Sequence, residues 1–198
     1  MQPLVTALLR GDGKLWLLPL EKPSLSSSGF VVDHFTPDVA VSPNGNYAIG
    51  IANFTYVNVS DAVTHQSRRW VAHAENITAV RFSPDGERIV TTSRDKTARV
   101  WNVKDGTPVT PSLPHNGIVT SARFSADGLA VVTVCKDKTV RVWDARTGQA
   151  ISSPFAEHRS TIIQAFFSQD GEWVITVGTD GTVMSWKFRE GRSVRIRR

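Results

Sequence analysis

Several protein classes are excluded by what this chain lacks. It holds one cysteine, Cys135, in 198 residues, so neither an internal disulfide framework nor a cysteine-rich zinc site can be built. Its longest apolar runs, such as LVTALL at 4–9, are far too short to span a bilayer. That segment also lacks the basic start and small-residue cleavage site of a signal peptide. No Gly-rich phosphate loop, metal-ligand cluster or pair of catalytic carboxylates can be read from the sequence. No window shows sustained helical periodicity. These absences predict a reducing, cytoplasmic setting with no cofactor, no metal and no membrane partner.

Charge of one sign is scarce too, outside one short stretch. The formal net charge is +5. Residues 189–198 carry arginines at 189, 192, 195, 197 and 198 against Glu190, a net of +4, which leaves +1 for the other 188 residues. The body is close to neutral, and the basic character belongs to the tail. What remains is the composition of a folded domain, 40% apolar and 21% charged, long enough for a sizeable core.

The chain is rich in repetition. DKTARVW at 95–101, DKTVRVW at 137–143 and DGTVMSW at 180–186 are near copies, and FSPDG at 82–86, FSADG at 124–128 and FSQDG at 167–171 precede them. A histidine precedes each pair: His73, His115 and His158. From His to Phe is 9 residues, from Phe to Asp 13 and from Asp to Trp 6, in all three copies. The single extra residue falls between Trp143 and His158, outside the frame. A rigid frame with slippage only between copies marks a repeated structural unit.

One unit reads as four short strands. NITAVRFS alternates apolar and polar residues, as a half-buried strand does. Pro-Asp-Gly makes a turn, because Pro presets φ and Gly accepts a positive one. ERIVTTS and TARVWNV follow as strands, and TPVTP is a short fourth strand at an edge, where proline is tolerated. Four strands in about 42 residues match a propeller blade.

The unit resembles a WD40 repeat: His, then F-S-x-D-G, then D-x-T-x-x-x-W. Departures are modest. Ala72, Pro114 and Glu157 stand where the family usually has Gly before the His, and only Trp143-Asp144 is a literal Trp-Asp pair. Linkers such as TGQAISSPFAEH resemble those of repeat arrays in large bacterial signalling proteins. VSPNG at 41–45 extends the pattern to a degenerate fourth unit without its tryptophan, and LVTALLRGDGKLWLL aligns on IVTTSRDKTARVWNV without gaps. The expected division is a partial blade over 1–33 lacking its innermost strand, with SLSSSG (24–29) as a loop, then blades over 34–72, 73–114, 115–157 and 158–198. The expected fold is all-β, a WD40-type propeller of about four and a half blades.

His, Asp and a hydroxyl in one unit invite a catalytic reading, since a Ser-His-Asp set is recognised by geometry and not by order. A catalytic set is needed once, however, and this one is written three times. The resemblance implies a structural network instead, in which Asp accepts from His, His meets a hydroxyl and the hydroxyl accepts from Trp N–H. Its candidate members are His73, Asp95 and Trp101; His115, Asp137 and Trp143; His158, Asp180 and Trp186. Thr91, Thr133 and Thr176 are the consistent hydroxyl candidates, with Ser93 open as an alternative in the first of these sets. Mid-strand Cys135 reads as a buried inert thiol.

The family resemblance further implies recognition on the mouth where the second-to-third-strand turns meet the first strands. The matching positions are Arg94, Lys136 and Thr179, with Asn76 and Thr78, Ile118 and Thr120, Thr161 and Ile163. Arg94 and Lys136 make that rim positive, which predicts an acidic protein or peptide partner and a non-enzymatic scaffold. Two alternatives stand: a nucleic-acid-associated module using the basic C-terminal edge, and a regulatory segment of a larger signalling enzyme. The alternating SVRIR favours a charged edge strand over a nucleic-acid tail. An arc of this length would expose Leu4, Leu8 and Leu15 at one end and Phe166 and Trp173 at the other. The ring is therefore expected to be completed by a second copy, a partner subunit or a missing N-terminal part.

Overall fold

The S-x-D/N-G turns show how the sequence writes the architecture. In each, the Ser hydroxyl donates to the carboxylate or amide oxygen two residues on, as from Ser125 to Asp127 at 2.5 Å and from Ser42 to Asn44 at 2.7 Å. The same hydroxyl accepts the backbone N–H five residues on, closing the hairpin between a first and a second strand. The glycine that follows has a positive φ, +75° at Gly86 and +69° at Gly128, a conformation that costs a β-carbon-bearing residue about 1–2 kcal/mol.

The computed structural model describes residues 5–9, 15–19, 30–32, 39–64 and 66–197. All regular structure among them is strand, arranged in five antiparallel sheets that follow one another in chain order. The first holds β1 (Val5–Leu9), β2 (Leu15–Pro19) and β3 (Phe30–Val32). The second holds β4 (Val39–Val41), β5 (Tyr47–Ala52), β6 (Tyr56–Asp61) and β7 (Ser67–Val71). The third holds β8 (Ile77–Phe82), β9 (Arg88–Ser93), β10 (Thr97–Asn102) and β11 (Leu113–Pro114). The fourth holds β12 (Val119–Phe124), β13 (Ala130–Cys135) and β14 (Val140–Asp144). The fifth holds β15 (Ile162–Phe167), β16 (Val174–Gly178), β17 (Val183–Lys187) and β18 (Arg192–Arg197). These are propeller blades, and they form an open, incomplete ring.

Strand alternation gives every blade two apolar faces, and each seam buries one face of each neighbour. Ile49 and Val57 of the second blade pack on Ile77, Val80 and Ile89 of the third. Val90 and Val100 of the third meet Ala122 and Val131 of the fourth. Val132, Val140 and Val142 of the fourth meet Ile162, Ala165 and Val174 of the fifth. Each fully buried side chain of this size contributes about 1.5–3 kcal/mol, so the seams carry most of the stability. Polar staples cross them at the turns: Asn44 Nδ2 donates to Asp85 O at 3.2 Å, and Arg88 Nη2 to Gly128 O at 3.0 Å.

Two sequence expectations need correction. TPVTP is not a continuous fourth strand: it pairs with β10 around a single bridge, Trp101–Pro108, with the Val109 N–H donating to Val100 O at 2.8 Å, and ladder pairing resumes at Leu113–Pro114. Pro111 has no N–H to give the ladder, and the edge is interrupted there. In the first blade, β3 pairs with β2, a strand the sequence reading missed because it is only three residues long. The SLSSSG loop and the side chains of Leu4, Leu8 and Leu15 lie outside the described residues. At the other end, Ile175 and Val177 of the fifth blade are half-buried, whereas the equivalent Val132 and Val134 are each 1% exposed. Trp173 is half-buried and Phe166 exposed on the same blade.

Candidate functional site

The polar network is seen most completely in the third blade. Thr91 lies mid-strand on β9, with its hydroxyl fully buried at the seam. Trp101 Nε1 donates to Thr91 Oγ1 at 2.9 Å, and His73 Nε2 lies 2.7 Å from the same oxygen. His73 Nδ1 is 2.9 Å from Asp95 Oδ2. With Nδ1–H directed at the carboxylate, Nε2 accepts from the Thr91 hydroxyl, so the donors run in one direction from Trp to Thr to His to Asp. Asp95 also accepts from the N–H groups of Thr97 and Ala74 at 2.9 and 3.1 Å and from the Thr97 hydroxyl at 2.7 Å.

The fourth and fifth blades keep half of this arrangement. Trp143 and Trp186 donate to Thr133 and Thr176 at 2.9 and 3.0 Å. His115 and His158 reach those threonines through Nε2 at 2.8 and 2.6 Å. The acidic halves differ. His115 Nδ1 donates to Leu113 O at 3.0 Å, and Asp137 Oδ1 accepts from the N–H and the hydroxyl of Thr139 at 2.9 and 2.6 Å. In the fifth blade Asp180 accepts from the N–H of Thr182 at 2.9 Å.

The residue ending the second strand explains the difference. In the third blade that residue is Ser93, whose hydroxyl donates to Glu75 O and Asn76 O and not to His73, so Asp95 is left to the imidazole. In the fourth it is Cys135, whose sulfur sits against Gly117 beside Asp137. In the fifth it is Gly178, and Ser160 fills the space a side chain would need, with its hydroxyl 2.7 Å from where a β-carbon would stand. The His–Asp bond expected for Asp137 is thus replaced by two separate ones. In the second blade Gly50 and Ser60 stand in the places of Thr91 and Trp101, and the network has no counterpart.

The electrostatics suit neutral, buried rings. Burial holds His73 below the usual imidazole range, although Asp95 works in the other direction. Burial, helped by the nearby Arg141 guanidinium, pushes His115 down to about 4. Burial alone would raise Asp95, but the Thr97 hydroxyl and then His73 outweigh it and hold the carboxyl low. The backbone N–H of Thr182 brings Asp180 down to about 2. Burial raises the Cys135 thiol, which favours its protonated and less nucleophilic form. Thr97, Thr139 and Thr182 were missed as carboxylate partners. Their signal was in the sequence, two residues after each repeated Asp.

Above the network lies a rim. The N–H of Arg94 donates to Asn76 O at 2.9 Å, that of Lys136 to Ile118 O at 2.8 Å and that of Thr179 to Thr161 O at 2.8 Å. The same pairing therefore joins two of the predicted positions within each of three neighbouring blades. Thr78 and Thr120 are half-buried one step further in, and Thr78 Oγ1 also reaches Thr92 Oγ1 at 2.8 Å. Ile163, 52% exposed, belongs to the fifth blade's first strand. Two lysines the sequence reading did not single out share this rim. Lys96 and Lys138 are exposed and hold φ of +68° and +67°. Lys138 Nζ donates to Arg159 O at 2.9 Å. Asp95 and Asp137 belong to the same turns, and against Arg94, Lys96, Lys136 and Lys138 they leave a net charge of +2.

Comparison with known proteins places this geometry. The family model described as "WD domain, G-beta repeat" matches residues 64–102, 107–144 and 149–187. The chain belongs to the WD40 repeat family, whose members are generally non-catalytic platforms for protein partners. It is 37% identical over 90 residues to a coronin-like protein of Saccharomyces cerevisiae, a match covering 45% of this chain and 13% of that one. It is 36% identical over 73 residues to the WD repeat-containing protein SL1-17 of Schistosoma mansoni, covering 37% and 24%. It is 30% identical over 89 residues to the Denticleless protein homolog of Gallus gallus, covering 42% and 12%. The matches span less than a third of each of these curated relatives. No helix among the described residues is long and apolar enough to cross a membrane.

Proposed function

We propose that the chain is a non-catalytic scaffold segment whose rim receives an acidic, carboxylate-bearing peptide of a partner protein in the cytoplasm. The observation that carries the reading is the charge on adjacent turns. Arg94, Lys96, Lys136 and Lys138 are exposed and outnumber Asp95 and Asp137 on the same turns, four cations against two carboxylates, a net of +2. Asn76, Thr78, Ile118, Thr120, Thr161, Ile163 and Thr179 supply the remaining contacts. The three-fold network beneath holds the rim rigid, which lowers the ordering cost of binding. Titration of a blocked Asp/Glu-rich peptide against the parent and an Arg94→Glu/Lys136→Glu variant tests this. Loss of binding in a variant that melts like the parent is expected. Equal affinity would move the site elsewhere, and a steep log-linear salt dependence with DNA as the tighter ligand would favour the nucleic-acid alternative.

The blade division at 33/34, 72/73, 114/115 and 157/158 belongs to the same reading, as does completion of the ring by further polypeptide: a second copy, a partner subunit or more of a longer protein. Half-buried Ile175, Val177 and Val183 on the fifth blade support completion, because the matching valines one blade earlier are closed off. Light scattering decides it. A monomer near 21.8 kDa with one cooperative melt would overturn completion.

A further inference from the structure

Each outer turn carries a glycine five residues beyond its strand tryptophan: Gly106, Gly148 and Gly191, with φ of +74°, +74° and +69°. At two of them the preceding blade fills the space above the glycine. A β-carbon on Gly106 would stand 2.8 Å from the Trp70 ring, and one on Gly148 would stand 3.1 Å from Pro111 and Leu113. At Gly191 a β-carbon would meet nothing within 4 Å. The same seat is built three times and filled twice.

The residues that fill the seat at Gly148 are replaced one blade later: Ser152 and Ser153 stand in the places of Thr110 and Pro111, and Phe155 in that of Leu113. Phe155 stacks on Trp186, with ring centroids 4.7 Å apart. A groove of about 510 Å³ is left at the outer edge of the seam, floored by Phe155, Trp186 and Phe188. The wall includes Ser152, whose hydroxyl is shielded from solvent and has no hydrogen-bond partner among the described residues. At the mouth the carboxylates are engaged: Glu190 with Lys187 at 2.7 Å, and Glu157 with the Ser193 hydroxyl at 2.9 Å. Arg189 and Arg192 are exposed, and the Arg192 side chain, at 80%, lies 3.9 Å from the Glu190 carboxylate.

We propose that this groove docks an extended acidic peptide bearing one aromatic side chain. The ring would sit over Gly191, in the seat that Trp70 and Pro111–Leu113 fill at the other seams. Two arguments fix the chemistry. The occupied seats show that a bulky apolar group fits this backbone, and the surplus of cations at the mouth, Lys187, Arg189 and Arg192 against Glu157 and Glu190, calls for carboxylates beside it. The site lies on the outer edge, apart from the rim, and is independent of the function proposed there.

The test uses the full chain and a fluorescein-labelled, blocked peptide, Asp-Glu-Trp-Glu-Asp, followed by anisotropy. Saturable binding is expected, weakened at least tenfold when the peptide Trp becomes Gly, and at least tenfold by Arg189→Glu/Arg192→Glu. The rim variant Arg94→Glu/Lys136→Glu should bind this peptide like the parent. Absence of saturation, or affinity indifferent to the Trp, overturns the proposal. Loss of binding in the rim variant assigns the peptide to the rim instead. Concentration-dependent self-association that the peptide competes away makes a second copy the occupant and overturns it as well.

Discussion

His115 Nδ1 bonds to the carbonyl oxygen of Leu113 at 3.0 Å, whereas the equivalent nitrogen of His73 bonds to Asp95 at 2.9 Å. One repeated histidine is thus tied to a neutral backbone group and another to a carboxylate, and their responses to pH and mutation should differ.

The pH response follows from His115. Its imidazole takes a proton near 6.5 when unfolded and near 4 when folded, so the unfolded state binds more protons between those values. Its contribution is fully present above pH 6.5 and is lost as pH falls toward 4. At 1.36 kcal/mol per unit the loss is about 3 kcal/mol. His73, also held low, adds in the same direction. Chemical denaturation at pH 7.5 and 4.5 should show the drop, and His115→Gln should shrink it.

Removing the carboxylates separates the blades. Asp95→Ala removes the carboxylate partner of His73, leaving Nδ1 only the Thr97 hydroxyl at 3.1 Å, and should cost on the order of 2 kcal/mol, the loss of a charge-assisted bond. Asp137→Ala leaves the bond from His115 to Leu113 intact and should cost about 1 kcal/mol less. Equal midpoint shifts in urea for the two variants would contradict the different pairing.

The threonine is the shared hinge of each network. Thr133→Val leaves both Trp143 Nε1 and His115 Nε2 without their partner and should cost roughly 2–3 kcal/mol. Thr133→Ser keeps the hydroxyl and should recover at least half of that loss. Thermal melts of the pair check it, and equal losses would mean that the methyl group matters more than the hydrogen bonds.

Backbone strain on the rim gives a prediction of opposite sign. Lys96 holds φ at +68° where the matching residue of the fifth blade is Gly181 at +75°. Lys96→Gly should raise stability by up to about 1 kcal/mol, the relief of the left-handed conformation less the added freedom of the unfolded chain. The same change should weaken binding of the acidic peptide at the rim. A variant that melts earlier than the parent would show that the lysine is not strained.

The sequence alone determined the repeat, because hydrophobic alternation and turn chemistry are local. FSPDG and its copies write a hairpin within five residues, and the His, Asp and Trp frame sets which strand each residue occupies. Only the tertiary structure decided how those residues pair. Whether Asp137 meets His115 depends on Cys135 packing against Gly117 from the bend before β12, and nothing in the DKTVRVW string carries that. The interrupted edge at Pro111 and the open seat over Gly191 arise in the same way. Each depends on which side chains one blade's connection lays over the next, a through-space relation that the repeated motifs do not write.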